Sequence, residues 1–141
     1  TVRTLVLIGT GGFIGSILRY QLRARCSRLS KGFQFPFGTL VVNVVGCVLV
    51  GFLAELANQR NLISDETRGF LIVGILGGFT TFSAFGNETM NLLRSGEPWL
   101  AFGNILGHIT IGLFSVWLAT LFPPCSGSNL PRHCSHALSS I

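Results

Sequence analysis

Polar side chains set inside apolar stretches are the residues of this chain that could do chemistry, because a donor or acceptor away from water must bind something. Thr39, Asn43 and Gly46 recur at i, i+4 and i+7, placing a hydroxyl, an amide and a bare backbone on one helical face. Asn104, His108 and Ser115 share a face in a later stretch, and between the two stand Phe82, Phe85 and Thr89, with Ser83 beside them. Amides and hydroxyls donate hydrogen bonds, a phenyl ring has a positive rim, and arginines flank the stretches. All of these groups are electropositive toward a guest, and the chemistry they suit is replacing part of an anion's hydration shell. Each stripe alone reads as helix glue, in which one amide ties two helices together. Three stripes in one small chain point to a polar pathway.

Other chemistries are poorly served. No acidic residue lies in the middle of an apolar stretch, Glu88 being the nearest to one, and cation or proton transport generally needs a carboxylate within the membrane. Cys26, Cys47, Cys125 and Cys134 form no C-x-x-C pair and no zinc-like spacing, and Cys47 reads as a small packed hydrophobe. Cys125, His133, Cys134 and His136 could hold a soft metal, but a Ser/Pro-rich terminus is more often plain disorder. The run from Gly9 to Gly15 resembles a dinucleotide loop only superficially: its spacing departs from G-x-G-x-x-G and no ribose-binding acid follows in place. No enzyme is expected.

What must position the polar stripes is a membrane bundle. Of 141 residues, 48% are hydrophobic and only 11% charged, where a soluble domain carries roughly a quarter. The mean hydropathy is +0.59. The 10 Lys+Arg against 5 Asp+Glu lie mostly between apolar runs, which reads as membrane flanks and not as a nucleic-acid patch. Four spans are predicted, over residues 2–20, 37–54, 69–93 and 99–122. The first reaches roughly 28 Å, close to the hydrocarbon thickness, and is too long for a signal-peptide core. Pro36 opens the second and Glu55 closes it; Gly77-Gly78 interrupts the third and leads into the β-branched Thr80-Thr81, a combination that favours leaving the helix; Trp99 anchors the fourth, which Pro123-Pro124 stops. Residues 1–122 then form one transmembrane domain and residues 123–141 a polar, disordered tail.

Glycines set how closely the helices approach. Gly11 and Gly15, Gly74 and Gly78, and Gly103 and Gly107 are spaced at i, i+4, as are Gly12 and Ser16, the spacing that lets helix backbones touch in lipid. Loop charges orient such a bundle weakly. Arg3, Arg60, Arg68 and Arg132 fall on one side, and Arg19, Arg23, Arg25, Arg28, Lys31 and Arg94 on the other. That modest bias permits insertion in both directions.

Three segments resemble the Fluc/CrcB fluoride channels: Gly11-Gly12-Phe13-Ile14-Gly15-Ser16-Ile17-Leu18-Arg19-Tyr20, Gly38-Thr39-Leu40-Val41-Val42-Asn43-Val44-Val45-Gly46, and Gly74-Ile75-Leu76-Gly77-Gly78-Phe79-Thr80-Thr81-Phe82-Ser83-Ala84-Phe85. The third is the most specific, and the likeness covers about residues 5 to 122. It implies an all-α integral membrane protein whose four helices, the third broken, pair with a second copy as an antiparallel dual-topology homodimer. It also implies passive fluoride export through two pores in the cell inner (plasma) membrane. A structural sodium ion would sit at the dimer axis on the backbone carbonyls of Gly77 and Thr80. Phe82, Phe85 and Asn43 match the pore residues and Arg19 the vestibule arginine, with Thr39, Ser83 and His108 completing the expected fluoride path. Two departures stand out: Ala84 occurs where a hydroxyl is common, and Asn104 and His108 stand where aromatic or hydroxyl groups are expected. His108 reads equally as a pore donor and as a packed residue with one hydrogen bond. Two rivals are a small multidrug-exporter-like dual-topology transporter, which would need a carboxylate that the first span lacks, and a purely structural subunit, which leaves the broken helix without a purpose.

Overall fold

The computed structural model describes residues 1–30, 32–60 and 64–121, and every regular element among them is helical. Helix α1 covers Val2–Leu29. It runs past Tyr20 because the residues that follow, rich in Arg, Leu and Gln, are strong helix formers with no breaker among them. The basic stretch is therefore helical and not a loop. Helix α2 covers Phe37–Arg60. Pro36 opens it as expected, its carbonyl accepting from the Leu40 N–H at 3.3 Å. Glu55 does not close it, since one carboxylate ends an apolar run without ending a helix.

The third stretch differs most from expectation. It starts at α3, Asp65–Arg68, where the Ser64 hydroxyl caps the Thr67 N–H and Asp65 and Glu66 complement the first turn. A π-helical segment, Gly69–Leu76, follows; then come α4, Gly77–Phe79, and α5, Phe82–Arg94. The break is not at Gly77-Gly78, both of which remain helical. It falls at Thr80 and Thr81, which are extended with φ −78°, ψ 157° and φ −153°, ψ 114°. Two adjacent β-branched residues favour extended backbone more than glycine does. Gly78 is needed elsewhere: a Cβ there would lie 2.5 Å from the Gly12 carbonyl oxygen of α1.

Helix α6, Pro98–Thr120, begins with proline at its first turn, where the missing N–H costs nothing. Trp99 is 83% exposed beside it. Phe122, Pro123-Pro124 and the tail with Cys125, His133, Cys134 and His136 lie outside the described residues, as does Lys31.

Two parallel pairs build the bundle. Helix α1 lies on the π segment and α4 through Gly11, Gly15, Gly74 and Gly78. A Cβ on Gly11 would approach the Phe70 oxygen to 2.7 Å, and one on Gly15 would overlap the Ile75 oxygen. Helix α2 lies on α6, where a Cβ on Gly51 would come within 2.7 Å of the Val116 oxygen. Gly103 and Gly107 meet only ordinary contacts at 3.8 and 3.9 Å, so that pair marks no close crossing within the chain. Helix α5 runs back antiparallel to α6 and joins the two pairs. The stretches Val2–Leu29, Phe37–Leu56, Asp65–Arg94 and Pro98–Thr120 are each long and apolar enough to cross a bilayer. The chain is a multi-pass membrane protein.

Candidate functional site

The break at Thr80-Thr81 organises the polar groups. Asn43, on α2, binds Thr81 with both ends of its amide: Oδ1 accepts from the Thr81 N–H at 2.9 Å, and Nδ2 donates to the Thr81 carbonyl at 3.2 Å. The Thr81 hydroxyl accepts from the Ala84 N–H at 3.2 Å and caps α5. In an unbroken helix the amides of Thr81 and Ala84 would serve the carbonyls four residues back, those of Gly77 and Thr80. Both amides are used elsewhere, which frees these two carbonyls. The Thr80 hydroxyl itself turns back to the Leu76 carbonyl at 2.9 Å, and its methyl fills the notch at Gly46. This explains the third member of the α2 stripe.

Beside the break, Ser16, Arg19, Tyr20 and Arg23 of α1 face Thr81, Ser83 and Ala84 across a cavity of about 530 Å³. Its wall is rich in donors. The Ser83 hydroxyl shares a hydrogen bond of 3.2 Å with that of Thr81. A second cavity, of about 420 Å³, is lined by Gln34, Glu88, Asn91, Ser95 and Glu97, among others. Arg23 lines the first and Glu88 the second, and their 2.6 Å ion pair links the two walls. Thr39, only 1% exposed, donates to the same Glu88 oxygen at 2.7 Å. An acidic residue therefore does sit on the polar stripe. Its charge is held by an arginine and a hydroxyl, so it is not a bare carboxylate waiting for a cation.

A row of rings leads away from the break. Phe82 and Phe85 have centroids 5.4 Å apart, and Phe85 and His108 are 4.4 Å apart. Phe82 is 83% exposed, with no wall of this chain over it. His108 Nδ1 bonds the Asn104 carbonyl at 2.9 Å; the Asn104 amide donates to Thr89 at 2.9 Å, and Thr89 donates to the Phe85 carbonyl at 2.8 Å. Ser115 stands apart, turned back onto Ile111 at 2.6 Å.

Of the residues singled out from sequence, Asn43 meets the break, Arg19 and Ser83 share the first cavity, and Phe82, Phe85 and His108 form the row. Thr39 belongs with Glu88, and Gly77 and Thr80 carry the freed carbonyls. Sequence reasoning passed over Thr81, Arg23 and the pairing of Glu88. The signals were present: Arg23 follows Arg19 by one turn, and Glu88 follows Phe85 at i+3.

Fold and site together define a polytopic helical membrane protein with a donor-lined cavity beside a break in its third stretch. The family model described as CrcB-like protein, Camphor Resistance (CrcB), matches residues 6–120, and the chain belongs to that family. It is 44% identical over 114 residues to a protein of Methylobacillus flagellatus named fluoride-specific ion channel FluC, covering 81% of this chain and 89% of that one. Proteins of the same name are similar from Opitutus terrae, 45% identical over 113 residues with 79% and 85% covered, and from Clostridium novyi, 40% identical over 111 residues with 79% and 86% covered.

Proposed function

We propose that this protein is a channel, not an enzyme, and that it passes fluoride passively out of the cytoplasm. The observation that carries the reading is the donor-lined break beside the Phe82–Phe85 pair, in a chain whose relatives bear the name of fluoride channels. Fluoride is strongly hydrated, so a narrow path must offer donors already in place. Ser83, the second amide hydrogen of Asn43, the ring edges of Phe82 and Phe85 and the charge of Arg19 supply them. A multidrug-exporter reading has no support, since α1 contains neither Asp nor Glu.

The functional unit is an antiparallel dual-topology homodimer with two pores, inserted in the cell inner membrane. Phe82 at 83% and Val73 at 58% exposure, together with the exposed Gly77, lie on a face of the third stretch that a second copy would cover. A two-fold axis there would gather the Gly77 and Thr80 carbonyls of both chains around one sodium ion. The ion would supply a fixed positive potential between the two anion paths. Fluoride efflux from proteoliposomes, with chloride as the comparison, tests the reading. Fluoride should pass with chloride excluded, and Phe82→Ile and Phe85→Ile should each cut the flux heavily in a protein that still assembles. Comparable chloride flux would refute selectivity.

A further inference from the structure

Arg19, Arg23, Arg25 and Arg28 crowd the C-terminal part of α1, and they face different ways. Arg19 and Arg23 line the cavity beside the break, where Arg23 is held by Glu88. Arg25 and Arg28 are exposed, and no carboxylate among the described residues pairs with either, the ion pairs there being those of Arg3 and Arg23. Nearer the start of the same helix, Phe13, Ile14, Ile17 and Leu18 are exposed as well. At about 3.6 residues per turn, these four and the two arginines share one arc of about 140°, turned away from Gly15, Arg19 and Arg23. One strip of α1 therefore passes from bare apolar side chains, which in a bilayer meet acyl chains, to two guanidiniums.

The neighbouring helix fixes the height of those guanidiniums. A Cβ on Gly38 would lie 3.0 Å from the Arg23 carbonyl oxygen and 3.1 Å from the Ser27 hydroxyl, so this part of α1 is level with the first turn of α2. There the apolar stretch Phe37–Leu56 begins. Arg25 and Arg28 flank Ser27 in the chain, which sets them at the height of lipid headgroups. Phe13 lies about 18 Å along the axis from Arg25, close to the roughly 15 Å depth of one leaflet.

We propose that Arg25 and Arg28 form a binding site for an anionic phospholipid, its phosphate held by both guanidiniums and its chains laid along Phe13, Ile14, Ile17 and Leu18. Side chains at i, i+3 are neighbours, and a guanidinium grips a phosphate through paired N–H donors. A free phosphate would use the charges alone and leave the apolar strip uncovered. A zwitterionic lipid would set its own cation beside two others. Arg28 also complements the carbonyl end of α1, but Arg25 precedes the last turn and has no such role. The inference goes beyond fluoride conduction and rests only on the membrane placement of the helices.

Native mass spectrometry of the protein released from detergent micelles holding equal amounts of dioleoyl phosphatidylglycerol and dioleoyl phosphatidylcholine tests the site. The native chain should retain phosphatidylglycerol roughly tenfold or more over phosphatidylcholine, the scale expected of two arginines at a headgroup. Arg25→Gln combined with Arg28→Gln should lose that preference, whereas Arg94→Gln, at an exposed arginine that ends α5, should keep it. Equal retention of the two lipids by the native chain overturns the proposal. A loss in Arg94→Gln as large as in the double variant overturns it too, since diffuse charge would then suffice. Displacement of the lipid by millimolar glycerol phosphate would make a soluble phosphate the ligand and is equally fatal. Should the double variant fail to assemble, Arg25→Gln alone decides, because it leaves the helix end intact: the preference should fall several-fold, and an unchanged preference overturns the site.

Discussion

Replacing Asn43 by aspartate keeps the acceptor that takes the Thr81 N–H but sets a second acceptor against the Thr81 carbonyl. Losing that donor leaves a half-buried carbonyl without its partner, at about 1 kcal/mol, and removes the spare amide hydrogen from the proposed path. Asn43→Asp should therefore lose most fluoride efflux and also melt earlier in detergent; unchanged efflux would reduce Asn43 to a helix tie. Thr81→Ala removes the cap of α5 and should cost about 1 kcal/mol in the same melting experiment, with Thr81→Ser much milder. The importance of Asn43 was legible in the sequence, because an amide inside an apolar run has to bind something. Its partner was not, because Thr81 is 38 residues away and only the fold brings the two together.

At the scale of helices, the glycines fall into two groups that substitution can separate. Gly15 and Gly78 lie where α1 crosses the third stretch, and each has backbone atoms closer than any Cβ tolerates. Gly15→Ala and Gly78→Ala should each force the crossing apart and abolish a monodisperse elution peak. Gly77 is different: a Cβ there would meet only the Ile72 oxygen, at 3.8 Å. Gly77→Ala should leave the chain folded, and any loss of flux it brings would support the proposed second copy and ion at that face. The i, i+4 glycines of α1 and the third stretch were readable as a close crossing from spacing alone. The position of the break was readable only in part, as glycines leading into the β-branched Thr80-Thr81. Gly77-Gly78 is the more permissive pair, but permissiveness only allows a helix to end; what ends it is the β-branched pair Thr80-Thr81, held by Asn43 from another helix.

For the molecule as a whole, hydropathy sufficed to count four membrane stretches but not to end them, because α1 and α2 continue past their apolar runs into charged, helix-favouring residues. Which faces meet was hidden too, since lipid and protein are equally apolar neighbours and a moment-based reading has nothing to contrast. Two expectations belong to this scale. Adding lysines to one side's loops should trap a single orientation and silence the channel until an oppositely oriented copy is co-expressed. Prolonged exchange into sodium-free medium should diminish fluoride flux, with loss of ion density at the axis; full flux with an empty axis would remove the ion from the account. The pairing of Asn43 with Thr81 has one more consequence. Thr80 and Thr81 are a fragment of extended chain among described elements that are all helical, and the amide of Asn43 presents to Thr81 the donor and acceptor that a neighbouring strand would present. It is a single rung of sheet whose second strand is a side chain. A rung closed in this way leaves no open edge at Thr81 for another chain to extend, so a helix can come undone within a membrane without offering a template for aggregation.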